Sequence, residues 1–187
     1  MTTNQKIQRH IGTFLMLLGI CSLLYIYYPI LRTYFFPPPT PQIQAQTVDS
    51  YWIEIPKIKA VAPIVINVDP WDETIYKDAL KKGIAHAKGT SLPGKGKTYL
   101  FAHSSDYPWN ITRYNTAFFK LHELKSGDTI TIQNGKSTYT YTVTDIKEVW
   151  PTEVEYIKNQ TADLILQTCT PIGTDLKRLL VFATLEK

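Results

Sequence analysis

Leu164-Ile165-Leu166-Gln167-Thr168-Cys169-Thr170-Pro171, followed after a short loop by Arg178-Leu179-Leu180-Val181-Phe182-Ala183-Thr184-Leu185, is the stretch on which the reading of this chain turns. Both runs are short, largely apolar and bounded by turn residues, so each predicts a β-strand. The intervening Pro171-Ile172-Gly173-Thr174-Asp175 folds the second strand back beside the first. A thiol at one strand's end then meets an arginine at the next strand's start. Cys21 lies in an apolar N-terminal segment, so no disulfide within the rest of the chain is open to Cys169. Its thiol is inert packing, an intermolecular link or a nucleophile.

Outward from this pair, the same chemistry recurs. Residues 51–55, 61–67, 98–103, 128–133, 138–150, 164–168 and 179–185 are enriched in Val, Ile, Thr, Tyr and Phe, with Gly, Pro, Asn or Asp between them. Seven short strands at such spacing predict a closed barrel or a sandwich. Brief helices are expected at 74–82 and 116–124. Asn134-Gly135 predicts a type I′ hairpin, because both residues tolerate positive φ. Asp69-Pro70-Trp71 reads as a turn.

The remaining organisation is set by the N-terminus. The chain has 187 residues, 44% hydrophobic and 19% charged, enough for one domain and an appendage. No charged residue occurs from Ile11 to Leu31, and about 20 apolar residues in a helix span a hydrocarbon layer of roughly 30 Å. Lys6 and Arg9 precede this segment, which places the N-terminus in the cytoplasm and the residues beyond Arg32 on the other side. Aromatic and proline residues come next in place of a small-residue cleavage site, which favours an uncleaved signal anchor. The expected organisation is a cytoplasmic N-terminus (1–10), a transmembrane anchor (11–31), a Pro/Gln-rich extracellular linker (32–49) and a single β-domain (50–187). The formal charge of +4 is scattered, so nucleic-acid binding gains no support.

A cysteine nucleophile needs a base and, for acyl transfer, a donor to the oxygen that becomes negative. Of the domain's histidines, His103 ends a strand as Cys169 does, whereas His86 and His122 read as structural or exposed. Arg178 could supply the oxyanion donor or could be a surface arginine paired with Asp175. The three residues' joint placement at strand ends is what distinguishes them.

These residues resemble a known family. Ile55-Pro56-Lys57-Ile58 with Ala62-Pro63-Ile64, Gly83-Ile84-Ala85-His86 through Gly94, Phe101-Ala102-His103-Ser104, and Leu166-Gln167-Thr168-Cys169-Thr170-Pro171 with Arg178-Leu179-Leu180-Val181 together resemble the sortases, membrane-anchored cysteine transpeptidases of bacterial surfaces. The resemblance runs from about Trp52 to the C-terminus. It implies a closed, mostly antiparallel β-barrel of seven or eight strands. It further implies Cys169 as the nucleophile toward the Thr carbonyl of an LPXTG-like sorting signal, His103 as general acid and base, and Arg178 as the oxyanion and backbone donor. Thr168 would add a hydrogen bond to the substrate. Implied partners are surface proteins with a C-terminal sorting signal and an amine acceptor, either a peptidoglycan precursor or a surface-protein lysine. No cofactor or metal is expected. Phe-Ala before the histidine departs from the commoner small residue, and Thr-Cys-Thr-Pro resembles the pilin-polymerising or class E-like branches.

Two other readings stay open. An L,D-transpeptidase also uses Cys, His and Arg, but its signature has a glycine before the cysteine, where this chain has Thr168. A membrane-tethered binding barrel without chemistry is the third. A papain-like protease would place Cys before His, the reverse of the order here.

Overall fold

The computed structural model describes residues 3–35, 50–105, 114, 116–135, 137–153, 155–158 and 161–186. The chain divides into two compact units, the first holding an N-terminal helix and the second a β-barrel. The helix, α1, runs Thr3–Phe35. Its described side chains are solvent-exposed, and the Thr13 and Ser22 hydroxyls donate back to Arg9 O and Leu18 O at 2.9 and 2.8 Å. Gln5–Tyr28 is long and apolar enough to cross a membrane, with a mean hydropathy of 1.9. At about 1.5 Å per residue, its 24 residues exceed a roughly 30 Å hydrocarbon layer.

The second unit is a closed mixed barrel. Its strands are β1 (Tyr51–Ile55), β2 (Ala60–Val68), β3 (Ile84–Ala87), β4 (Thr98–Phe101), β5 (Thr129–Asn134), β6 (Ser137–Val149), β7 (Leu164–Thr170) and β8 (Lys177–Leu185), in the order β1-β2-β3-β4-β7-β8-β6-β5. Closure leaves no edge among them. Pairing is antiparallel except at β2–β3 and β4–β7. Period-2 alternation sends Ile53, Ile55, Leu100, Ile130, Ile132, Leu164, Leu166, Val181 and Ala183 into the barrel. Ile165, Leu180 and Phe182 face outward and are covered by Val149, Ala162, Ile157 and Tyr99.

The eighth strand, β3, was not foreseen in the strand pattern. Its Ile-Ala-His-Ala run carries a single β-branched residue, and it is made a strand by burial on all four residues between β2 and β4. His86 is 2% exposed there and is structural: Asn67 N donates to Nδ1 at 3.2 Å, and Nε2 lies 3.0 Å from both Ser91 O and Thr90 Oγ1. The expected helix at 74–82 is α2, Glu73–Lys82, whose Asp72 carboxylate caps Thr74 N and Ile75 N. Asp69 Oδ1 accepts from Trp71 N, the turn expected at that triplet.

Two local expectations are corrected. Residues 116–124 form successive turns ending in a 3₁₀ turn at Leu121–Glu123, with every bond running back three residues. The reason is the spacing of Phe118, Leu121 and Leu124, all buried and three apart, which matches 3.0 and not 3.6 residues per turn. The β5–β6 hairpin is shifted by one residue: Asn134 pairs with Ser137 as the last residue of β5, and only Gly135 of the expected dipeptide has positive φ, +54°. A further short helix, α3, spans Glu155–Lys158.

Candidate active site

The site is built by strand register. Parallel pairing puts Phe101 beside Gln167, and the bond from Ala102 N to Gln167 O, 3.1 Å, carries the pairing past the end of β4. A continuation of that register by two residues would bring His103 level with Cys169. On the other side of β7, Cys169 pairs directly with Arg178, and Arg178 pairs with Val149. Cys169, Arg178 and Val149 thus occupy one row across β7, β8 and β6, on the outer face shared by Ile165 and Leu180, and His103 lies two residues beyond β4, which ends at Phe101 and not at the histidine as expected.

A second row lies on the inner face one residue away. Thr168 pairs with Leu179, which pairs with Glu148, and Ser104 continues the inward alternation of Leu100 and Ala102. This row opens on a pocket of about 250 Å³ at the barrel mouth, walled by Phe119, Leu179, Pro171 and Ile172 and carrying Ser104, Thr168, Glu148, Thr170, His122 and Cys169. Cys169 therefore belongs to both rows: its strand position is outer, and it also lines the inner pocket.

Burial pushes the Cys169 thiol above its ordinary value; the Arg178 guanidinium pulls it down, and the Asp175 charge adds to the rise. Arg178 Nη1 donates to Asp175 O at 2.7 Å and Lys177 O at 3.2 Å, so the expected pairing with Asp175 is to its backbone and not its carboxylate. These bonds tether one nitrogen and leave the other edge of the guanidinium able to donate. Thr168 is 3% exposed, and its hydroxyl donates to Ala102 O at 2.9 Å, tying β7 to the chain beside His103. Next to them Tyr99 donates to Gln167 Oε1 on the outer face, and burial raises the phenol's pKa.

The β7–β8 turn is held from the opposite side. Gly173 N donates to Ser105 Oγ at 2.9 Å, and Thr174 N donates to Pro171 O at 3.0 Å. Glu148 Oε1 accepts from Thr170 Oγ1 at 3.1 Å, and Lys177 Nζ lies 3.7 Å from its Oε2.

His122, expected to be structural or exposed, is exposed and stands on the pocket wall. Ser104 and Glu148 were not singled out by sequence reasoning. The available signal for Ser104 was its place after the strand-end histidine. Glu148 had none, because a register shift between Val143 and Asp145 moves it to the inner face.

Comparison with known proteins fixes the lineage of this barrel. The Sortase domain model matches residues 53–186, and the chain belongs to the sortase family. Sortase D of Bacillus subtilis (strain 168) is 30% identical over 136 residues, covering 70% of this chain and 60% of that protein. Among solved structures, Sortase A from Corynebacterium diphtheriae superposes with a TM-score of 0.61 at 30% identity, over 74% of this chain and 61% of that one. Sortase C1 from Streptococcus suis gives 0.60 at 31% identity, over 74% of each. The chain spans less than two thirds of the length of the curated relatives it matches.

Proposed function

We propose that this protein is a sortase-type cysteine transpeptidase, which cleaves an LPXTG-like sorting signal through a Cys169 thioester and passes the acyl group to an amine. The observation that supports this reading is the direct pairing of Cys169 with Arg178 on a sortase barrel, beside the parallel β4–β7 pairing that leads to His103. Because burial favours the neutral thiol, His103 takes the Sγ proton as sulfur attacks the carbonyl carbon. As the C–N bond breaks, the imidazolium returns that proton to the leaving amine. Arg178, anchored through Nη1, presents its remaining donors to the oxyanion, where a fixed charge is worth most. Thr168 lines the pocket beside Cys169 and, through Ala102 O, holds the His103 segment against β7.

In this reading α1 is a signal anchor, with Lys6 and Arg9 on the cytoplasmic side and the barrel on the outer side of a plasma membrane. Its partners are surface proteins with a C-terminal sorting signal and an amine of the cell wall or of another surface protein. Incubation with a library of sorting peptides, with mass spectrometry of the intact protein, tests the proposal. An acyl adduct on Cys169 with release of the C-terminal fragment is expected; cleavage that persists in Cys169→Ala overturns it.

A further inference from the structure

The pocket beside Cys169 contains a buried polar group that no described residue pairs with. Ser104 is 2% exposed, and its Oγ has no hydrogen-bond partner among the described residues. A buried hydroxyl left without a partner is costly, so such groups mark a place where something else bonds. Ser104 lines the pocket together with the Glu148 carboxylate, which stands across the row from it beyond Thr168 and Leu179. The rest of the lining is the apolar Phe119, Leu179, Pro171 and Ile172 and the polar His122, Thr168, Thr170 and Cys169. A carboxylate and an unpartnered hydroxyl in one pocket suit a short chain ending in a primary ammonium, whose three N–H groups need acceptors.

We propose that this inner pocket receives the incoming amine, with Ser104 Oγ and the Glu148 carboxylate as acceptors for its ammonium group. The assignment rests on the acyl-transfer reading above. It comes from the two faces: Arg178 pairs with Cys169 on the outer face, where the proposed reading puts the acyl donor and its oxyanion, and Cys169 also lines the inner pocket, which does not include Arg178. The two substrates then need not compete for space. In the transfer step R–NH3⁺ and acyl–S–Cys169 give the amide, Cys169–SH and one proton. Nitrogen forms the new C–N bond, the C–S bond breaks, and of the two protons nitrogen loses, one ends on sulfur and one leaves through an imidazole. The turn that forms the pocket's outer wall is fixed by the Gly173 N to Ser105 Oγ bond, so the pocket exists before the amine arrives.

The test uses the full chain in detergent micelles, a sorting peptide, and three acceptors: glycylglycine, Nα-acetyl-lysine amide, and hydroxylamine, which is uncharged at neutral pH. Ser104→Ala should lower the transfer-to-hydrolysis ratio for the preferred ammonium acceptor about five-fold, the scale of one lost hydrogen bond. Glu148→Gln should lower it about three-fold, a smaller factor because that carboxylate is half exposed. Hydroxylamine transfer should change less than two-fold. Preference for glycylglycine identifies a peptide N-terminus as the source, and preference for the lysine amide identifies a side chain; either supports the pocket. Equal losses with all three acceptors overturn it. Titration of Cys169→Ala with n-butylammonium, followed by amide resonances, reads the pocket without catalysis. Shifts at Ser104 and Thr170 that vanish in Glu148→Gln are expected, and no shift there overturns the proposal even if the peptide is never cleaved.

Discussion

The thiol of Cys169 sits between two opposing influences, burial that favours the neutral form and Arg178 that favours the thiolate. Alkylation by iodoacetamide should therefore rise with pH through a midpoint above that of an ordinary cysteine, and Arg178→Gln should move the midpoint further up, because it removes the charge pulling it down. A midpoint that falls in Arg178→Gln would contradict this balance. Arg178→Lys should lower kcat/KM for a sorting peptide by about 100-fold or more, since an ammonium cannot be tethered at one nitrogen while donating from another. Steady-state kinetics decides it. Cys169 and Arg178 were legible in the sequence as a pair because each stands near the end of a β-run and a short turn joins the two strands, whereas the strand expected to reach His103 stops at Phe101. Ser104 and Glu148 were not, because the pocket they share is assembled from separate segments and one of them depends on a bulge that no local pattern announces.

Among the elements, β3 is the one whose existence tertiary packing decides, and its central residue makes it pH-sensitive. His86 accepts from Asn67 N at Nδ1, so the neutral ring carries its proton on Nε2, facing Ser91 O. Burial lowers its folded pKa below 6.5, against a smaller raising effect of the Ser91 bond. The unfolded chain takes up a proton near pH 6.5 while the folded one does not, so His86 contributes stability above that value and loses it as pH falls through the folded pKa. Urea unfolding from about pH 7.5 to 4.5 should show this acid limb, and His86→Gln should flatten it. Just before β3, a Cβ on Gly83 would lie 2.2 Å from Pro63 O, so Gly83→Ala must displace β2 or the end of α2. A loss of about 1–3 kcal/mol, the usual scale of overpacking, is expected from the same unfolding measurement at about pH 7.5. The seven strands with dense β-branched and aromatic residues could be read directly. The hairpin turn and the 3₁₀ segment could not, because hairpin register and the three-residue spacing of Phe118, Leu121 and Leu124 were settled by burial.

At the scale of the whole molecule, the helix and the barrel are separate compact units, and the hydrophobic core belongs to the second. A chain beginning at Ser50 should unfold in one cooperative transition and remain in the aqueous phase on Triton X-114 partitioning, whereas the full chain should enter the detergent phase. Recovery of the full chain in water would refute α1 as an anchor. The parallel pairing of β4 with β7 has a consequence for the proposed chemistry. It joins segments 66 positions apart, as the bond from Thr168 to Ala102 O spans, so the proposed base meets its thiol only through a long-range contact. A nascent or partly threaded chain carries a thiol with no base beside it and a guanidinium with no row to join. Under the proposed mechanism Cys169 is therefore idle for as long as the barrel is open, and barrel closure is itself the act of activation.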